Sequence, residues 1–339
     1  MKYLILPVLI FSAGQAFAGL SDSSQYYFNK GQEEMQAKKY LVAAKHFDKA
    51  ISFNPNFTAA YLENARVNLE MRKTNVAMEN FKAVLKLDPN NKPATQGLME
   101  LYYNYRQYNN ASELALKCKD CPNAKKILGM SEYQQENYPE AEKHLLAAIK
   151  DDPKDAEAVY TLARTYIDME FYKKAVPYYE MALQLDPAKS NWRYELGLIS
   201  FNNYDYKKAL SSFQAAAEKG YTVSNDFKEN MGITALYAGD YDLGEKLVME
   251  VFSRKPGAKD LLRDAAEILH SKKQYQRSLT YCQKLMEADP KDAKALYQAG
   301  LNFQKMGQKD RGMQMCDKAI EMDPSLESLR RKKEMPGGL

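Results

Sequence analysis

The sequence predicts an all-α solenoid of nine helix-turn-helix units in series, closed by a C-terminal capping helix. Three observations carry this. Prolines recur at Pro55, Pro89, Pro153, Pro187, Pro256, Pro290 and Pro324; four of the six gaps are 34 residues, and the others, 64 and 69, are close to two periods. Several of these prolines share a lead-in, as in "ALQLDP" and "AIEMDP", where an alanine-led apolar helix end meets an acid and then proline, a helix stop. Each period reads as two short amphipathic helices, and a fixed period of this size marks a stacked repeat array.

The first element precedes the array. Lys2 opens an apolar run from Tyr3 to Phe11, and small residues follow, ending in Ala16-Phe17-Ala18. This is the three-part pattern of a secretory signal with an A-x-A cleavage site. The run is about half of the roughly 20 apolar residues that a membrane span needs. The expectation is a signal over 1–18, a short lead over 19–23 and an exported chain with no transmembrane segment once the signal is removed. The style of the signal points to the periplasm, with the extracellular space as the alternative. Either compartment permits disulfides.

The array covers 24–57, 58–91, 92–121, 122–155, 156–189, 190–224, 225–258, 259–292 and 293–326. Unit positions 7 and 8 hold pairs such as Leu128-Gly129, Leu162-Ala163, Leu196-Gly197, Met231-Gly232, Ala265-Ala266 and Ala299-Gly300. Position 20 holds Ala43, Ala77, Ala111, Ala141, Ala175, Ala209 and Ser278, and position 17 holds Tyr40, Tyr108, Tyr138, Tyr172, Tyr206, Tyr241 and Tyr275. With these residues the chain resembles the tetratricopeptide repeat (TPR) over nearly all of its expected mature length. The resemblance implies a right-handed α-solenoid whose first helices line a concave face. Small residues allow close helix approach, and the position-17 tyrosine can fill the gap at the hairpin bend. The last unit departs from the pattern, with Lys309 at 17 and Gly312 at 20, as a terminal repeat can. Residues 327–339 are expected to form the cap and tail, with Arg330 to Lys333 as its solvated basic run.

The third unit is 30 residues long, four short of the period, which is about one helical turn. Its second helix is therefore expected to end near Cys118, with Cys121 in the turn before Pro122. A disulfide across this truncated turn is the leading reading, and two free thiols the next. A thioredoxin-type centre lacks its strand-then-helix setting, and a zinc site lacks its further thiolate or imidazole ligands. Cys282 and Cys316 fall at position 24, a core position, and read as small buried hydrophobes.

No catalytic constellation is found. The histidines, His46, His144 and His270, lie in different units, and no phosphate loop, nucleophile elbow or zinc helix is present. The chain is expected not to be an enzyme and to need no cofactor or metal. A formal charge of +4 in 339 residues argues against a nucleic-acid partner. Positions 2, 5, 9, 12 and 13 of the first helices point into the groove in the resembled family. Here they supply Phe28, Arg66, Tyr103, Tyr133, Tyr160, Arg164, Tyr194, Phe201 and Tyr297, an aromatic surface with scattered arginines suited to a protein or extended peptide. The carboxylate clamp of chaperone-binding members is not reproduced: Lys126 offers the lysine, but its position-9 partner is Met130. The reading is an exported scaffold in envelope assembly or secretion. Its rivals are a thiol–disulfide protein using Cys118 and Cys121 and a structural subunit of an envelope complex.

Overall fold

The structure is a computed structural model that describes residues 13–329, with side chains from residue 23 onward. The apolar run of the expected signal and the basic run of the expected cap lie outside the described residues. Every regular element within them is helical. The chain divides into two compact units, one ending at Phe171 and the other beginning at Tyr172.

The first unit holds α1 (Ala13–Gln36), α2 (Tyr40–Phe53), α3 (Thr58–Glu70), α4 (Thr74–Leu87), α5 (Lys92–Asn104), α6 (Tyr108–Lys117), α7 (Ala124–Gln134), α8 (Tyr138–Asp151) and α9 (Ala156–Asp168). The second holds α10 (Tyr172–Leu185), α11 (Ser190–Asn202), α12 (Tyr206–Glu218), α13 (Asn225–Ala238), α14 (Tyr241–Arg254), α15 (Lys259–Ser271), α16 (Tyr275–Ala288), α17 (Ala293–Lys305) and α18 (Lys309–Met322). Within each unit, every helix packs on the next in sequence, the stacking of an α-solenoid. All seven position-17 tyrosines are the first residue of a second helix.

Two repeated turns shape the hairpins. At unit position 15 the backbone is left-handed in every unit: Lys38, Arg72, Arg106, Glu136, Glu170, Tyr204, Gly239, Lys273 and Gly307 all have positive φ. The next residue's N–H then reaches back five residues, as Lys39 does to the Glu34 carbonyl (2.8 Å) and Gln274 to that of Leu269 (2.8 Å). This capping satisfies carbonyls that a helix end leaves open. At the unit ends, the acid or amide before proline accepts a hydrogen bond from the N–H two residues on. Asp152 does so from Lys154 (3.0 Å) and Asp289 from Lys291 (3.1 Å). The "DP" signature is thus an Asx turn that the proline stiffens.

The core runs between paired helices. Position 24 is buried throughout, from Phe47 through Leu145, Tyr179 and Phe213 to Cys282 and Cys316. At position 8, Gly31 and Gly197 lie under the position-24 rings Phe47 and Phe213, while in later pairs positions 8 and 20 meet directly, as where Ser278 donates to the Ala266 carbonyl at 2.7 Å. In the last pair a Cβ on Gly312 would lie 2.5 Å from the Gly300 carbonyl, so the backbones themselves touch there. Beyond α18, a 3-10 turn (Pro324–Leu326) inserts Leu326 into the terminal core. Only the start of the expected cap lies within the described residues.

Candidate protein-binding surface

First helices of neighbouring repeats touch side by side, α5 with α7 and α7 with α9 in the first unit, α13 with α15 and α15 with α17 in the second. Their outward positions therefore share one surface within each unit.

In the first unit, Arg66 is exposed and pairs with Glu63 at 2.6 Å. Tyr103 on α5 is half-buried against Tyr108 (ring centres 5.6 Å apart). Burial, then the Glu157 carboxylate, push its phenol up to about 12. Tyr133 on α7 donates to Asp168 on α9 at 2.8 Å, and burial with this bond raises its pKa. Arg164 lies one turn after Tyr160 and donates to its hydroxyl at 3.3 Å. Phe28 differs: it packs against Phe47 and Phe57 and belongs mainly to the first hairpin's core.

Lys126 bridges α7 to α9, reaching Asp155 at 2.9 Å and Glu157 at 2.8 Å. Burial would lower its pKa, but the hydrogen bonds to Glu157 and Asp155 and their charges outweigh it and raise it. Met130, its position-9 neighbour, is buried. Lys126 is thus engaged with the next repeat and Met130 with the core.

In the second unit, Tyr194 is a correction to the expected groove. It stacks on Tyr221 (4.5 Å) and Phe227 (5.6 Å), accepts from Asn230 at 2.8 Å and helps to close the core. Tyr221 comes from the loop between α12 and α13 and covers one of its faces. Tyr297 is a second correction. It is 6% exposed, packed with Cys316, Ala319 and Leu326, because the terminal turn folds over it. Phe201 is half-buried and edge-on to Tyr206 (5.3 Å) and Tyr237 (5.7 Å). A general correction concerns position 12. Tyr103, Tyr133, Phe201 and His270 each lean on the position-17 tyrosine of the same repeat, with ring centres 5.3–6.1 Å apart, so these side chains also serve the bend.

Sequence reasoning missed a charge pairing at the rim. Arg263 reaches Asp292 at 2.8 Å, the same reach from position 5 to the next N-cap that Lys126 makes. The signal was legible as a cation 29 residues before a helix-opening aspartate.

A disulfide joins Cys118 and Cys121, whose Cα atoms are 5.3 Å apart. Cys118 caps the short α6, and Cys121 is buried. Cys282 and Cys316 are buried thiols outside the disulfide. Burial pushes the Cys282 thiol up to about 12. Among the described residues no cluster of three His, Cys, Asp or Glu is placed to hold a metal ion, and no helix is long and apolar enough to cross a membrane.

Tetratricopeptide-repeat profiles match residues 24–57, 128–166, 160–221, 230–293 and 293–326. The chain belongs to the tetratricopeptide-repeat family. Hsp70-Hsp90 organizing protein 1 of Glycine max is 25% identical over 226 residues, 54% of this chain and 39% of that protein. Protein O-mannosyl-transferase TMTC3 of Homo sapiens is 26% identical over 172 residues, 48% of this chain and 19% of that one. The chain spans at most about two fifths of the length of these curated relatives. Among solved structures, a tetratricopeptide repeat protein from Parabacteroides merdae is 18% identical at a TM-score of 0.37, covering 81% of this chain and 96% of its own. YrrB, described as a TPR protein with an unusual peptide-binding site, is 20% identical at 0.41, covering 56% and 98%.

Proposed function

We propose that this TPR protein is an exported, non-enzymatic scaffold that holds a protein or extended peptide on its first-helix face, in cell-envelope assembly or secretion. The observation that carries the reading is the surface around α7 and α9, where the partly buried rings of Tyr133 and Tyr160 carry polar tips and Arg164 sets its guanidinium beside the Tyr160 hydroxyl. Such groups bury a large area while retaining a polar contact, the profile of interface anchors. Relatives named as Hsp70-Hsp90 organizers support a protein-holding role, but the incomplete clamp around Lys126 speaks against an acidic chain end as ligand there. The signal-like N-terminus supports export, with the periplasm as the compartment. The test is affinity capture by the mature chain from its own envelope fraction, compared with a Tyr160→Ala/Arg164→Ala variant. Equal capture by both would remove this surface from the function.

A further inference from the structure

The second unit carries an aromatic cluster larger than the hairpin bend requires. Tyr206, first residue of α12, stacks on Tyr237 of α13 with ring centres 4.5 Å apart and planes 12° from parallel. Phe201 stands edge-on to both. Tyr204, in the turn between α11 and α12, stands edge-on to Tyr206 at 6.3 Å and is 79% exposed.

A cation already sits at this cluster. Lys272, the residue that caps α15, holds its ammonium 5.9 Å from the ring centres of both Tyr206 and Tyr237. Ring faces carry the negative part of an aromatic quadrupole, and this is the distance range in which they attract a cation. The surroundings add to the attraction. Asp264 and Glu267 on α15 are exposed, and after burial and Tyr206 their charges help to hold the Tyr237 phenol above its ordinary value.

We infer that this cluster is a binding site for an arginine side chain of the partner, which takes the place that Lys272 occupies in the free protein. A guanidinium fits better than an ammonium because it is planar, more weakly hydrated and stacks on aromatic faces. The two carboxylates supply charge complementarity at the edge. The inference rests on the proposed protein-holding role and narrows it to a partner segment carrying an exposed arginine.

The experiment uses the full mature chain and two small probes, N-acetyl-arginine amide and its uncharged near-isostere N-acetyl-citrulline amide, followed by nuclear magnetic resonance at the tyrosine rings. The arginine probe is expected to shift the Tyr206 and Tyr237 resonances and to bind at least about fivefold more tightly than citrulline. Lys272→Met, a change at a partly exposed helix cap, is expected to tighten arginine binding about fivefold and leave citrulline unchanged, because it frees the site. Glu267→Gln is expected to weaken the arginine probe alone. Equal binding of the two probes, arginine affinity that is unchanged or lower in Lys272→Met, or shifts confined to other tyrosines would each overturn the inference. The wider scaffold reading is read separately, by partner capture with the α9 variant, so either can fail while the other stands.

Discussion

Lys126 on α7 grips Asp155, the N-cap of α9, at 2.9 Å, and in the second unit Arg263 on α15 grips Asp292, the N-cap of α17, at 2.8 Å. In both cases the aspartate also accepts backbone N–H groups of the helix it opens, those of Glu157 and Ala158 for Asp155 and that of Ala295 for Asp292. One carboxylate therefore caps a helix and ties it to the preceding repeat.

Asp292 is the more buried of the two, so its loss is the sharper test. Asp292→Ala removes a cap and leaves Arg263 with the exposed Asp260 as partner. The expected cost is about 1–2 kcal/mol in urea unfolding. Asp292→Asn keeps a capping oxygen and is expected to cost less. Equal losses in the two variants would mean that the ion pair, and not the cap, carries the effect.

The cysteines are expected to label in three steps. Native protein taken from its own compartment is expected to give no alkylation, since Cys282 and Cys316 are buried and the other two are bridged. Unfolding without reductant opens Cys282 and Cys316, and reduction opens Cys118 and Cys121. The double change Cys118→Ala/Cys121→Ala is expected to lower stability by no more than about 2 kcal/mol, because the closed loop is so short. Labelling of Cys118 in the unfolded, unreduced chain would show the bridge absent.

Much of the fold was legible in the sequence. The 34-residue period, the small residues at 8 and 20 and the missing turn before Cys118 each translate into helix length and helix approach, which are local properties. The left-handed turn at position 15 was hidden, because lysine, arginine, glutamate or tyrosine occupies it in seven units where glycine would have announced it. The surface was only half legible. Tyr160 and Tyr194 are the same residue type at the same unit position, yet Tyr194 is stacked under Tyr221, which a loop delivers. Position within a repeat fixes which way a side chain leaves its helix. What then covers it depends on loops and ends that break the period, as Leu326 does over Tyr297.

Tyr103 predicts a response to alkaline pH. Its phenol is pushed up to about 12 in the folded chain, chiefly by burial, whereas an unfolded tyrosine ionises near 10. The folded state therefore holds this proton more tightly, and the associated stability is intact below about pH 10 and lost as the pH rises through about 12. Ultraviolet titration is expected to show Tyr103 still protonated at about pH 11, where exposed tyrosines have ionised. Tyr103→Phe is expected to make stability less steep across that window. A slope unchanged by the substitution would place Tyr103 in water.

The binding surface is tested at α9, where Tyr160 and Arg164 share one helix face and can be removed together. Tyr194 is unsuited to that test because it contacts Phe213, Tyr221 and Phe227 in the core of the second unit. Tyr194→Ala alone is expected to cost about 3 kcal/mol, the price of emptying a well-packed aromatic site. In Tyr160→Ala/Arg164→Ala, by contrast, each side chain is only partly buried. Interface anchors typically cost about 2 kcal/mol or more when truncated, roughly thirtyfold in affinity. The α9 double variant is therefore expected to lose capture of its partner while keeping its helical circular dichroism and most of its melting temperature. Partner capture that survives the double variant would move the site away from α9, toward the second helices or the ends of the array. A variant that unfolds would show instead that Tyr160 supports its repeat as Tyr194 does, and the capture comparison would pass to Arg66→Ala, whose exposed side chain pairs across one turn of α3 with Glu63.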